Sequence, residues 1–193
     1  MPSIDKSSEV LMFSDELGKG FGSLISDNLK QPIFNHCSTG IKLENIISHI
    51  KSTKLTAQCT VLVFYGNSTA VTKNDLNNLI KALEVLHNNI GCRFIVSALP
   101  YSFALTARQN RHIYNLNLLL YNCTYYLKDK ISIFDINSLK TNFRLTKDTV
   151  YLPITDKKEI ARLLALYIQT DWATCKVPNS ISCKGPDTSI CLN

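Results

Sequence analysis

Short apolar segments alternate with amphipathic segments along most of the chain. The segments 9–13, 57–66, 92–100 and 130–136 are predicted strands, the clearest being the β-branched and nearly all apolar 57–66. The segment 31–37 is a further predicted strand, because its proline favours an extended neighbour. The segments 19–29, 42–53, 73–88, 108–126 and 156–169 have the character of helices, several with apolar residues at helical spacing. Strands that alternate with helices imply right-handed crossovers and a parallel sheet between helical layers. We therefore predict an α/β fold, a three-layer α/β/α sandwich of flavodoxin-like type with a five-stranded parallel sheet.

The 193 residues are enough for one domain with a substantial core. We place this domain at residues 1–172. The remainder, 173–193, is polar and contains Pro, Ser, Gly and Lys, which predicts a loosely ordered tail. Cys175, Cys183 and Cys191 lie in this tail without a nearby His or a CxxC spacing, so the sequence predicts no metal site there. No motif predicts a cofactor.

Composition favours an intracellular protein, in the cytoplasm or the nucleus. No apolar run approaches the roughly 20 residues that cross a bilayer, and the polar start of the chain lacks the apolar segment of a signal peptide. The odd number of cysteines, 7, favours a reducing compartment. The net charge of +6 comes from scattered lysines, which is weak support for nucleic-acid binding. We expect no membrane association.

Polar residues follow the predicted strands where a parallel sheet places its ligand sites. The stretches SDELG, HCSTG, YGNST and LPYS all lie at the carboxyl end of a predicted strand. In open parallel sheets, ligands bind outside the carboxyl ends of the strands. These four stretches are therefore predicted to share one rim of the molecule.

The rim resembles the SGNH, or GDSL-type, hydrolase family of esterases and deacetylases over about residues 9 to 170. Ser14-Asp15-Glu16 occupies the position of the family's Gly-Asp-Ser, so Glu16 replaces the nucleophilic serine. Gly40 matches the glycine of the second conserved block, and Asn67 the asparagine of the third. In the family these two residues complete the oxyanion hole.

The later blocks of the resemblance also depart from the family's chemistry. Tyr65 stands where the third block has a glycine. Asp148 is in the position of the triad acid, but Tyr151 stands where the triad histidine belongs. The sequence SALPYS and the following NRHIYNLNLLL resemble the family's proline after the fourth strand and its Asn-x-x-Ile-x-x-Leu-Asn helix. The resemblance is close in architecture and poor in chemistry.

Serine acyl transfer requires a base within hydrogen-bond reach and preorganised donors for the oxyanion. Glu16 cannot act as a serine alkoxide, and a tyrosine with a reference pKa near 10 is a poor general base. We therefore predict a pseudoenzyme that serves as a protein-interaction or assembly module. Its expected partner is another protein, including a second copy of the chain, with nucleic acid as a secondary option. Related domains occur in proteins of some non-LTR retrotransposons and in insect host genes.

Two other interpretations of the rim remain open beside the pseudoenzyme. A hydrolase with a rebuilt site would use Ser14 as nucleophile or a metal-bound water, with His36, Asp15, Glu16 or Asp148. A purely structural interpretation makes Asp15 a helix cap, Asn67 a hydrogen-bond partner of loop backbone and Gly40 a residue of positive φ. Tyr65 and Tyr151 would then fill the former pocket.

The predicted helix 108–126 carries a second polar and aromatic group. Arg108, Arg111 and His112 open the helix and form a small basic spot. Tyr114, Tyr121, Tyr125 and Tyr126 follow it. We interpret these tyrosines as half-buried packing residues, with base stacking as the alternative.

Overall fold

The computed structural model describes residues 9–139, 144–145 and 150–170, with the backbone alone at 144–145 and 150–151. The strands are β1 (Val10–Ser14), β2 (Ile33–Cys37), β3 (Thr60–Phe64), β4 (Arg93–Ser97), β5 (Ile131–Phe134), β6 (Arg144–Leu145) and β7 (Val150–Tyr151). The helices are α1 (Phe21–Leu29), α2 (Leu43–Ser52), α3 (Lys73–Ile90), α4 (Ala107–Thr124) and α5 (Ile154–Gln169).

The first five strands form one parallel sheet in the order β2-β1-β3-β4-β5. Successive residues of a strand point to opposite faces, so each face of this sheet carries its own core. One core joins Leu11 and Phe13 to the buried faces of α2, α3 and α4. The other joins Val10 and Met12 to α1 and α5. The predicted three-layer α/β/α sandwich and its five-stranded parallel sheet are confirmed.

The predicted elements are all present, but several bounds differ. The segment 57–66 was expected to be strand throughout, whereas β3 covers only Thr60–Phe64. Tyr65 would continue the apolar pattern of the strand. The strand nevertheless ends at Phe64, and Gly66 lies at the rim. Likewise a 3-10 turn, Glu16–Gly18, precedes α1, and Gly20 at φ +79° separates the two. Apolar composition therefore predicts burial better than it predicts where a strand ends.

The antiparallel pair β6–β7 was not predicted from the sequence. Each of its strands has only 2 residues, which is too short for a periodic pattern to be recognised. Its second strand, β7, lies against the Glu16–Gly18 turn. The predicted domain end at 172 and the predicted tail 173–193 lie outside the described residues. Within the described ranges, no helix is long and apolar enough to cross a membrane.

Candidate functional site

Asp15 is the centre of the rim. Its carboxylate accepts hydrogen bonds from the backbone N–H of Gly66, at 2.9 and 2.8 Å, and of Asn67, at 2.8 Å. The same carboxylate caps the Glu16–Gly18 turn through the N–H of Leu17, at 3.1 Å. We call these four residues the Asp15 cluster. It ties the end of β1 to the end of β3, and it confirms the predicted capping role of Asp15.

The Asp15 side chain is almost fully buried, with 1% of its surface exposed. Burial raises the pKa of its carboxyl above the ordinary value, while the N–H donors of Asn67, Gly66 and Leu17 oppose the rise. Removing this acceptor would leave three backbone donors without their partner in a region of low solvent access. The cluster is consequently a structural element of the fold as well as a part of the rim.

Glu16 lies next to Asp15 but makes a different contact. Its side chain is half-buried and its Oε1 accepts a hydrogen bond from the backbone N–H of Gly40. Gly40 has φ +67°, which confirms the prediction of positive φ and suits a glycine at this turn. In the family that the rim resembles, the residue at the position of Gly40 donates to the oxyanion. Here that donor is already satisfied by a carboxylate of the chain itself.

Ser14 does not face the rim. Only 1% of its surface is exposed, and its hydroxyl has no hydrogen-bond partner among the described residues. It lies on the α1–α5 face of the sheet, beneath Gly18. A Cβ built at Gly18 would stand 2.0 Å from Ser14 Oγ, so the turn covers this hydroxyl closely. The geometry therefore argues against the interpretation of Ser14 as an accessible nucleophile.

His36 lies on the opposite face of the sheet from Ser14. It pairs with Phe13 in the register of β1 and β2, one residue from the pair formed by Ser14 and Cys37. Its ring stacks on that of Phe13 at a centroid distance of 4.8 Å and an interplanar angle of 10°. Adjacent positions on parallel strands point to opposite faces. The geometry thus places His36 where it cannot take a proton from Ser14.

Tyr65 forms part of the core on the α2–α3 side, with 5% of its surface exposed. It lines a hollow of about 240 Å³ together with Lys42, Leu43, Glu44, Ala70 and Asp75. Burial, together with the nearby Asp15, Glu16 and Asp75 carboxylates, raises the pKa of its hydroxyl to about 12. Tyr65 is therefore protonated at neutral pH and cannot act as a base there.

Asn67 contributes its backbone N–H to the Asp15 cluster. Its side-chain Oδ1 accepts a hydrogen bond of 3.4 Å from Thr69 Oγ1. The prediction placed the side chain against loop backbone, whereas this contact is with a loop side chain. Asp148 lies outside the described residues. Of Tyr151 only the backbone is described, in β7 beside the Glu16–Gly18 turn.

Three asparagines hold the loop after β4, and two of them, Asn110 and Asn117, are the asparagines of the Asn-x-x-Ile-x-x-Leu-Asn pattern. Asn117 bonds both the N–H and the carbonyl of Leu99, at 2.8 and 2.9 Å. Asn137 accepts from the Tyr101 N–H and donates to Leu99, and Asn110 makes a pair of bonds with Ser102. The sequence pattern marked Asn117 but not its role, which is that of a buried amide between Leu116 and Leu120 on the apolar face of α4. These asparagines fix the fourth segment of the rim.

No group of three His, Cys, Asp or Glu side chains that could hold a metal ion occurs among the described residues. The carboxylates of Asp15 and Glu16 are instead engaged with backbone N–H donors. The third carboxylate of the metal hypothesis, Asp148, lies outside the described ranges. The two described carboxylates of the metal hypothesis are thus already engaged within the chain.

Searches by sequence against models of protein families and against curated proteins found no match. Solved structures do match the fold. A member of the lipolytic G-D-S-L family from Veillonella parvula has a TM-score of 0.65 at 13% identity, with 83% of this chain and 97% of that chain covered. The lipase/acylhydrolase from Enterococcus faecalis has a TM-score of 0.66 at 13% identity, covering 83% and 94%.

A third similar structure is the OSK domain of Drosophila Oskar, with a TM-score of 0.62 at 12% identity over 82% of this chain and 88% of that chain. The chain therefore has the α/β fold of the SGNH, or GDSL-type, lipolytic proteins. This confirms the resemblance inferred from the rim at the level of the fold.

Proposed function

We propose that this protein is a catalytically inactive SGNH hydrolase-like domain that acts as a protein-interaction or assembly module. It keeps the parts of the rim that hold the strands together. The groups that would perform acyl transfer are replaced or turned away.

The contact between Glu16 and Gly40 carries this proposal. An oxyanion hole stabilises the negative charge that develops on an oxygen in the transition state, and it requires N–H groups that are free to donate hydrogen bonds to that oxygen. The carboxylate of Glu16 already accepts a hydrogen bond from the N–H of Gly40. A substrate oxygen approaching that donor would compete with a tethered anion and would be repelled by its charge.

The positions of Ser14 and His36 support the same conclusion. General-base activation of a serine needs the base within about 3 Å of the hydroxyl. These two side chains lie on opposite faces of the sheet, and the hydroxyl is buried beneath Gly18. The alternative nucleophile and base therefore do not assemble on this backbone.

A binding role is consistent with the similar structures. They include lipolytic proteins and the OSK domain of Drosophila Oskar. A shared fold does not by itself imply a shared activity. We propose a protein partner and an intracellular location, cytoplasmic or nuclear, since the odd cysteine count suits a reducing compartment.

Hydrolysis of short-chain p-nitrophenyl esters tests the loss of catalysis. We expect the purified protein to release p-nitrophenol at the rate of buffer alone, and Ser14→Ala and His36→Ala to change nothing. Ser23→Ala, at an exposed serine of α1, is the matched control. Turnover that survives Ser23→Ala but disappears in both other variants would establish a rebuilt hydrolase and overturn the proposal.

The binding role is tested separately by affinity capture from the native cell with mass spectrometry. Partners enriched by the wild-type protein should be enriched equally by Glu16→Gln, because the amide keeps an acceptor oxygen for Gly40. Enrichment of no protein above a matched bead control would contradict the interaction role.

A further inference from the structure

A hollow of about 240 Å³ lies at the rim between the start of α2 and the start of α3. Of the described residues that line it, three carry acceptor oxygens, two are apolar and one is cationic: Glu44, Asp75, Tyr65, Leu43, Ala70 and Lys42. This volume is smaller than the usual pocket for a drug-sized ligand and suits a single extended side chain. We call it the Tyr65 hollow.

The hydroxyl of Tyr65 is a polar group of the hollow that the chain itself does not use. Only 5% of the surface of Tyr65 is exposed, and its ring packs in the core. The hydroxyl has no hydrogen-bond partner among the described residues, yet, unlike the hydroxyls of Ser14 and Tyr121, it is not closed off from solvent. Because the ring is fixed, this hydroxyl can accept a hydrogen bond from a ligand without rearrangement of the chain.

Asp75 adds a carboxylate oxygen that is also unused. Its Oδ2 accepts hydrogen bonds from the N–H and the hydroxyl of Thr72, at 2.8 and 2.7 Å, in the capping box of α3. Its Oδ1 has no partner among the described residues. One oxygen therefore holds the side chain in position while the other is available. A hydroxyl oxygen and a carboxylate oxygen together suit a group with several N–H donors.

The charges around the hollow favour a cation. Glu44 and Asp75 bring two carboxylates against the single ammonium of Lys42. Lys42 Nζ lies 3.9 Å from Glu44 Oε1, and both side chains are largely exposed, so this ion pair is weak and exchangeable. The start of α2 adds partial positive charge, which Glu44 in its first turn offsets. Burial and three neighbouring carboxylates raise the pKa of the Tyr65 hydroxyl, and these carboxylates favour positive charge beside it.

An alkylammonium group matches these features. It is a compact cation with three N–H donors, and Tyr65 Oη, Asp75 Oδ1 and a carboxylate oxygen of Glu44 can each accept one. Its methylene stem has apolar neighbours in Leu43 and Ala70. A guanidinium is a broader planar fork that favours paired oxygens, whereas Asp75 offers one free oxygen.

We propose that the Tyr65 hollow binds an alkylammonium group, namely the side chain of a lysine presented by a protein partner. The partner lysine deepens the interaction role given above and rests on it, because a partner must supply that side chain. Binding of the ammonium group itself depends neither on that role nor on the absence of ester hydrolysis. A failure of the site is therefore distinguishable from a failure of the proposed function.

Titration of the ¹⁵N-labelled full chain with Nα-acetyl-lysine methylamide, up to about 20 mM, tests the site. Nα-acetyl-norleucine methylamide is the matched probe, since it has the same methylene stem without the ammonium group. We expect saturable shifts of the amide resonances of Tyr65 and Ala70 with the lysine probe and no such shifts with the norleucine probe. Equal responses to the two probes, or no response to the lysine probe, would overturn the proposal.

Two substitutions remove one feature of the site each. Tyr65→Phe should weaken binding of the lysine probe about fivefold, because one hydrogen bond is lost. Asp75→Asn should weaken it roughly tenfold, since the amide keeps an acceptor for Thr72 but loses the charge. Tyr126→Phe and Asp129→Asn, at exposed positions, are the matched controls and should bind as the wild type does. The same spectra report whether each variant is folded. Unchanged affinity in both Tyr65→Phe and Asp75→Asn would contradict the site.

Affinity capture from the native cell tests whether a partner supplies the lysine. Proteins enriched by the wild-type chain should be lost in the presence of the lysine probe and in Tyr65→Phe, but retained in the presence of the norleucine probe. Capture that is unchanged in both tests, with a positive titration, would assign the hollow to a free amine and overturn the partner lysine. Enrichment of no protein would overturn the proposed function and the partner lysine together, whereas the titration alone decides the ammonium site.

Discussion

Asp15 and Glu16 are adjacent acidic residues on the same turn, yet their surroundings differ. Asp15 is buried and receives three backbone N–H donors from two segments of the chain. Glu16 is half-buried and receives one, from the exposed Gly40. The first arrangement joins two strands of the sheet. The second satisfies one N–H donor at the rim. Stability of the fold and loss of a catalytic donor can therefore be tested separately at two neighbouring residues.

The largest effect is expected at the Asp15 cluster. Asp15→Ala removes the acceptor of three backbone N–H groups. Leaving one such group unpaired in a buried site costs about 1–3 kcal/mol of stability. We expect the free energy of unfolding to fall by about 3–5 kcal/mol, since part of the loss is recovered by relaxation. Urea denaturation measures it. Glu16→Ala serves as the control, with an expected loss of about 1 kcal/mol or less. Equal losses in the two variants would remove the contrast between them.

A smaller effect is expected where the Glu16–Gly18 turn covers Ser14. Gly18→Ala introduces a Cβ at 2.0 Å from Ser14 Oγ, which forces the turn or β1 to shift. Overpacking of this kind costs about 1–3 kcal/mol. Adding Ser14→Gly removes the clashing atoms and should recover most of that loss, which a double-mutant cycle of urea denaturation measures. Additive effects of the two substitutions would contradict this close approach.

Ser14→Ala should have the smallest effect and the opposite sign. It deletes a buried hydroxyl that lacks a partner among the described residues, so we expect a gain of up to about 1 kcal/mol in the free energy of unfolding. Thermal denaturation with Ser23→Ala as control detects it as a small rise in Tm. A loss above 1 kcal/mol would indicate a hydrogen bond that stabilises this turn and would contradict the isolation of Ser14.

Much of the fold follows from the sequence because apolar runs and helical periodicity report burial directly. The strand at Thr60–Phe64 and the stripe of α3 are clear for this reason. The capping role of Asp15 could be predicted from the sequence. Its hydrogen bonds to Gly66 and Asn67 could not, because they join residues 51 and 52 positions apart. No local pattern encodes contacts of that range. The same holds for the bond from Gly40 to Glu16.

The side-chain directions at Ser14 and His36 follow from the alternation of residues along the strands once the register of the strands is known. Ser14 belongs with Val10 and Met12, whereas His36 pairs with Phe13. That inference needs the register of β1 against β2, which the sequence does not provide. A one-residue shift would have placed both side chains on the same face. Rim position alone was therefore an insufficient criterion for a catalytic pair.

The central claim, that Glu16 occupies the N–H donor of Gly40, is tested most directly by the amide resonance of Gly40 in ¹H–¹⁵N spectra. Glu16→Ala should move this resonance strongly upfield in the proton dimension, because the hydrogen bond is lost. Glu16→Gln should move it far less, since an acceptor oxygen remains, and Glu44→Ala should leave it in place. A Gly40 resonance that is unchanged in Glu16→Ala would contradict the account.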